Sequence, residues 1–287
     1  MRTIALNGSS GFIGSQICNY FERKYNIIRI NRNDYLLDPT VLANKLEGAD
    51  IILNIAGARI SLFSSKKKRQ VIYNSRIETT LNLCKAMACM KRKPELFISM
   101  SAVGIYDSLH IHDENSKDFG NDFLARLCVE WEQATLDCKA SCNTSIVRSG
   151  IVLSRNEGML RQMLPPFKLG FGAILGNGNQ PLSFIHIRDF LRAIEFVIDR
   201  RLTGIINFVA PKSCTNKEVS MAIAHEVRKP LFLKAPSPVI KMLMGEQSSM
   251  ILEGQKVYPQ RLMKEGFTFE FPDIHQAIKD LINTDNH

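Results

Sequence analysis

The chain has 287 residues, 45% of them hydrophobic and 23% charged, and carries a formal net charge of +9 at pH 7. That much apolar material closes a sizeable core and excludes a disordered chain or a minimal module. The basic balance favours anionic partners such as nucleotides. Two basic runs, 66–69 (KKKR) and 91–93 (KRK), read as solvated helix ends or loops, because no aromatic interleaving or nucleic-acid motif accompanies them.

The first half alternates short apolar runs with helical patterns. Strands are expected at 3–6, 26–30, 49–54, 96–99 and 144–147, and helices at 12–25, 71–90 and 119–138. Strands separated by helices imply crossovers, and so a doubly wound α/β fold with a parallel sheet covered on both faces. Beyond Arg148 the pattern loosens. Gly170, Gly172, Gly176 and Gly178, with Pro165, Pro166 and Pro181, suggest a long loop over a cleft. A helix at 188–199, a strand at 205–208 and a helix at 216–226 follow. The proline-rich end, 236–287, is expected to form a small α/β subdomain after a nucleotide-binding domain spanning 1–235.

Seven cysteines at 18, 84, 89, 128, 138, 142 and 214 show no C-x-x-C spacing and are expected to be reduced core thiols, with no metal site. No apolar run approaches the ~18 residues needed to span a bilayer, and no signal-peptide pattern opens the chain. A cytoplasmic protein without a membrane partner is expected.

The chemistry starts at Gly8-Ser9-Ser10-Gly11-Phe12-Ile13-Gly14, a G-x-x-G-x-x-G spacing between a strand and a helix. In that context the glycines permit a tight turn, backbone approach to a pyrophosphate and close helix–strand packing, and the helix N-terminus attracts the phosphates. The second strand ends in Ile30-Asn31-Arg32-Asn33-Asp34. An acidic residue there would hold the ribose 2′-hydroxyl of NAD(H), whereas Arg32 suits the 2′-phosphate of NADP(H). Arg32 favours NADP(H), with Asp34 as the competing residue.

The glycine loop, Asn54-Ile55-Ala56-Gly57 and Ser99-Met100-Ser101-Ala102-Val103-Gly104 resemble the extended short-chain dehydrogenase/reductase superfamily, which contains sugar-nucleotide epimerases and dehydratases. Ser75-Arg76-Ile77-Glu78-Thr79-Thr80, Phe184-Ile185-His186-Ile187-Arg188-Asp189 and Gly254-Gln255-Lys256-Val257-Tyr258-Pro259-Gln260-Arg261-Leu262 narrow the resemblance to an atypical "epimerase family" branch with a C-terminal domain of unknown function. Some bacterial members of that branch carry a "cell division inhibitor" label. The resemblance implies that Gly8, Ser10, Gly11, Phe12, Ile13 and Gly14 cradle the pyrophosphate and that Arg32 meets the 2′-phosphate. It implies that Ala56 and Gly57 pass the adenosine end, that Ser99 and Ser101 flank the nicotinamide side, and that Ser101 bonds the substrate's reacting oxygen.

Active members of the superfamily place Tyr-x-x-x-Lys on the next helix, one turn apart on one face, to move a proton at that oxygen. The equivalent stretch, 122–132 (DFLARLCVEWE), lacks it in every register. Tyr106 and His186 are the substitute candidates beside Ser101, with a tyrosine packed under its loop and a structural histidine as the competing readings. Arg76 and Gln180 are candidates for the substrate side, and Arg148, ending the fifth strand, suggests a buried ion pair. Two functions stay open: an NADP-dependent oxidoreductase or epimerase on a small polar substrate, or a non-catalytic NADP(H)-binding regulator. No specific nucleic-acid partner is expected, and a homodimer through the long helices stays open.

Overall fold

The computed structural model describes residues 1–60, 65–138 and 142–283. Six apolar runs form one sheet: β1 (Thr3–Asn7), β2 (Asn26–Ile30), β3 (Ile51–Asn54), β4 (Leu96–Ala102), β5 (Asn143–Ser149) and β6 (Gly204–Phe208). Their order is β2-β1-β3-β4-β5-β6. Strand β1 pairs in parallel with both β2 and β3, and β3 with β4. The chain therefore leaves β1 in one direction and resumes in the other. This reversal opens a crevice at the carboxyl ends of β1 and β3, where the glycine loop begins.

Right-handed crossovers running in opposite directions put helices on opposite faces. On one face, α2 (Pro39–Leu46) and α4 (Ile77–Cys89) cover Ala5, Ile52 and Phe97 with Leu42, Leu46, Leu83 and Met87 in a single apolar cluster. The opposite face belongs to α1 (Phe12–Phe21), whose Ile17 and Phe21 are buried. The second half of the helix Ile187–Arg200 joins α1 there: Tyr20 donates to Glu195 at 2.6 Å and Lys24 pairs with the same carboxylate at 2.6 Å. This is the doubly wound architecture expected from the alternation of elements.

Local chemistry moved several boundaries. Helix α2 was not foreseen; Pro39 at its start and Asp38 accepting from Thr40 N at 2.9 Å define it. The helix expected at 71–90 is two helices, α3 (Lys66–Asn74) and α4. They break at Ser75, whose hydroxyl bonds Ile72 O at 2.8 Å while accepting Ala58 N at 2.9 Å. The next helix, α5 (Phe123–Leu136), starts later than expected, at the Asp122 cap, which accepts Ala125 N at 2.8 Å. Pro165 and Pro166 lie inside a helix, Gly158–Lys168, so the expected loop is shorter.

The reading of seven reduced cysteines is corrected for one pair. Cys84 on α4 and Cys138 just past α5 are joined as a disulfide, with Cα atoms 5.3 Å apart. The two are 54 residues apart in sequence, so only the packing of α4 on α5 brings them together. No described helix is long and apolar enough to cross a membrane.

Two compact units divide the chain, and they are interleaved rather than consecutive. The first holds Met1–Ile105, Asp122–Arg148 and Ile194–Ile206; the second holds Tyr106–Asn121, Ser149–Ala193 and Asn207–His287. In the second unit Phe184–His186 runs parallel to Ile151–Leu153, Leu233–Ala235 to Ala173–Leu175, and Lys256–Val257 to Ile111–His112. Helix Asn216–Glu226 packs there against helix Ile274–Asn283.

Candidate functional site

The loop after β1 has no room for side chains at two of its glycines. Gly8 has φ +69°, and a Cβ on it would stand 3.1 Å from Ala56 Cα. A Cβ on Gly14 would drive into the Gly8 carbonyl. Gly11 N donates to Gly8 O at 3.0 Å, closing the turn. Gly11 is also the N-cap of α1, with no side-chain cap and no acidic residue in the first turn. The first N–H groups of α1 and the positive end of its dipole are therefore left for an anion. Phe12 and Ile13 begin the helix half-buried, and Ser10 is exposed on the turn.

Beneath the loop lies a polar frame missed in the sequence. Asn7 ends β1, and its Nδ2 donates to Asn54 Oδ1 at 2.5 Å and Tyr35 Oη at 2.8 Å. Its Oδ1 accepts Ile55 N and Ala56 N at 2.6 and 2.8 Å. Asn7 thus fixes the path of the chain that passes beside Gly8. Asn54 extends the frame to Thr80 at 2.8 Å and Ser99 at 3.0 Å, and Thr135 of α5 donates to Ser99 at 2.9 Å. The Ser99 side chain is completely buried and belongs to this frame. The signal available in the sequence was an asparagine closing each of two apolar strands.

At the end of β2, Arg32 is exposed and opens the 3-10 turn Arg32–Leu36. Asp34 is held elsewhere: its Oδ2 accepts Asn31 N at 2.6 Å and pairs with Lys45 Nζ at 2.5 Å. Burial opposes ionisation of Asp34, but the Lys45 and Asn31 hydrogen bonds win and hold its pKa below the usual carboxylate value.

Beside β3, the half-buried Arg76 guanidinium bonds Ala58 O and Ile72 O at 3.2 Å each and lies 5.3 Å from the Trp131 ring centroid. Burial lowers its pKa, with Cys128 opposing. A Cβ on Gly57 would come within 2.9 Å of Arg76 Cζ, so Gly57 is the residue that admits this cation. On β4, Ser101 donates to Glu132 Oε1 at 2.7 Å. The same carboxylate receives Arg148 Nε at 2.8 Å and Nη2 at 2.7 Å. Cys128, one turn before Glu132 on α5, is an inert thiol, its pKa pushed up to about 12 by burial and by Glu132.

Residues 4–208 match the NAD dependent epimerase/dehydratase family, and residues 235–281 match a domain of unknown function, DUF1731. The chain belongs to the NAD dependent epimerase/dehydratase family. Epimerase family protein SDR39U1 of Bos taurus is 32% identical, over 97% of this chain and 99% of that protein. Its Mus musculus counterpart is 31% identical over the same shares. The crystal structure of human epimerase family protein SDR39U1 (isoform 2) with NADPH superposes with a TM-score of 0.88 at 30% identity, covering 98% of this chain and 99% of that one. MoeE5 in complex with UDP-glucose and NAD reaches a TM-score of 0.78 at 15% identity, covering 98% and 97%, a likeness of fold alone.

In this family member the remaining candidates lie in the second unit. Tyr106 is 1% exposed; its hydroxyl sits 2.9 Å from Asp113 O and 3.0 Å from Asn207 Oδ1, and its ring stacks on His112. Of the two readings open for this tyrosine, the structure has it packed under its loop. His186 is buried as well. Its Nδ1 accepts Arg188 N at 3.1 Å, and its ring stacks on Phe271 with centroids 3.8 Å apart. Burial, then the Arg188 charge, pushes its pKa down to about 3, which favours the neutral ring, and its Nε2 lies 3.3 Å from Asp280 Oδ2. Gln180 is buried with Nε2 on Leu175 O at 3.0 Å, bracing the Gly176–Gly178 turn.

Proposed function

We propose that this chain is an NADP(H)-binding epimerase-family protein of the short-chain dehydrogenase/reductase type, acting as an oxidoreductase or nucleotide-sugar epimerase on a small polar substrate in the cytoplasm. One observation carries the choice of cofactor. Asp34, the residue that would select NAD(H), is engaged by Asn31 N and Lys45, while Arg32 stands exposed on the same turn. The NADPH in the human relative's crystal structure supports the same choice.

The Gly8–Gly14 turn and the start of α1 would hold the pyrophosphate, and Arg32 the 2′-phosphate, by charge-assisted hydrogen bonds. Bound NADP(H) would supply hydride transfer. Ser101 spends its proton on Glu132, so toward a substrate its oxygen offers lone pairs and accepts. Arg76 supplies a half-buried cation one strand away, suited to an anionic group.

The test is Arg32→Ala. Losing a charge-assisted contact lowers NADPH affinity about 10- to 100-fold and leaves NADH affinity unchanged. Equal NADPH affinity in the variant overturns the assignment.

A second reading is a non-catalytic NADP(H)-dependent regulator, for instance of cell division. It is favoured by α5, whose sequence FLARLCVEWEQATL contains neither Tyr nor Lys. Purifying the protein with any retained nucleotide and screening for substrate-dependent NADPH oxidation separates the two. Binding without turnover across sugar-nucleotide and carbonyl substrates supports the regulator.

A further inference from the structure

We propose that paired turns in the second unit form a docking surface for anionic lipid headgroups. The helix Gly158–Lys168 ends at Gly170, φ +81°, with Phe171 N returning to Pro166 O at 2.8 Å. The helix Asn216–Glu226 ends at Arg228, φ +53°, with Lys229 N returning to Ala224 O at 3.0 Å. Each chain then enters a strand, and these strands are parallel neighbours, Ala173 beside Leu233. Parallel pairing brings the two preceding turns to the same end of the ladder.

What the turns present is unusual for a surface. Leu169 is 71% exposed, Phe171 67% and Phe232 82%, with Leu233 at 46%. Exposed Lys168, Arg228, Lys229 and Lys234 alternate with them. Residues 165–175 and 227–242 contain no Asp or Glu.

Charge and shape together select the occupant. A second copy is disfavoured, since an isologous contact would set cation against cation with no acid in either segment. A partner helix would need a depression, whereas these side chains project from tight turns. An anionic bilayer accepts projecting Phe and Leu at its acyl boundary and neutralises the surrounding Lys and Arg at its surface. This is attachment to a membrane face and needs no spanning helix.

Co-sedimentation with vesicles tests it, using phosphatidylcholine alone or with one-third phosphatidylserine. At low salt the protein should bind the mixed vesicles at least about tenfold more tightly than the neutral ones, and added salt should release it. Phe171→Ser with Phe232→Ser, and separately Lys168→Glu with Lys229→Glu, should each abolish binding while the thermal melt stays unchanged, since all four side chains are exposed. Binding that survives both double variants overturns the proposal, as does equal binding to neutral vesicles. Failure to bind any vesicle also overturns it. Capture of an acidic amphipathic peptide by a protein that ignores vesicles would reassign the surface to a protein partner.

Discussion

Glu132 on α5 and Arg148 at the end of β5 form a two-pronged ion pair buried to 7% and 2% exposure, and Ser101 of β4 donates to the same carboxylate. The pair thus ties a helix to two neighbouring strands and sets which way the Ser101 hydroxyl points.

Breaking the pair from one side should be costly. Glu132→Gln leaves the Arg148 charge buried and uncompensated, and a loss of about 3–5 kcal/mol in urea unfolding is expected. Replacing both residues with Met should recover most of that loss, because burying two charges is itself expensive. A double variant as unstable as the single one would show that the pair contributes more than mutual neutralisation.

Gly14→Ala should damage cofactor binding more than folding. Its methyl would enter the Gly8 carbonyl, so the turn must open. A stability cost of about 1–3 kcal/mol is expected from overpacking, together with a loss of NADPH binding in a fluorescence titration. Gly48→Ala, where a Cβ meets nothing within 4 Å but φ is +86°, should destabilise through backbone strain without touching NADPH affinity.

Asp34→Asn should separate the acid from the cofactor. It removes the Lys45 pair and weakens the cap on Asn31 N. About 1 kcal/mol of stability is at stake, since Lys45 is partly exposed. NADPH affinity should not fall. A strong loss of NADH binding in this variant would restore Asp34 as the ribose ligand.

His186 makes stability pH-dependent in a stated direction. Its folded pKa, about 3, lies far below the ordinary 6.5. Below about pH 6.5 the unfolded chain binds a proton that the native chain refuses. Stability contributed by the neutral ring is therefore full above that pH and falls toward pH 3, by up to about 1.4 kcal/mol per unit. His186→Gln should remove this component between pH 6.5 and 5. Proton NMR should show the His186 ring not titrating across that range, and a titration near 6.5 would contradict its burial.

The glycine spacing, the strand–helix alternation and the cations near β2 were readable in the sequence, because each follows from neighbours within a few residues. Gly8 and Gly14 are required by a local turn, and Arg32 stands next to the strand that carries it. The sequence could also place Ser101 after an apolar run and note that no Tyr-x-x-x-Lys follows it. It could not say what Ser101 touches, since Glu132 and Arg148 lie 31 and 47 positions away in sequence. Nor could it tell an exposed histidine from a buried one, because Phe271, whose ring stacks on that of His186, is brought there only by folding. The Lys45–Asp34 pair was likewise hidden, because Lys45 lies on a helix the sequence pattern did not reveal. Periodicity and turn chemistry act over short stretches of chain and specify elements. Burial, ion pairing and hydrogen-bond partners depend on residues far apart in sequence, and the packing of those elements decided them.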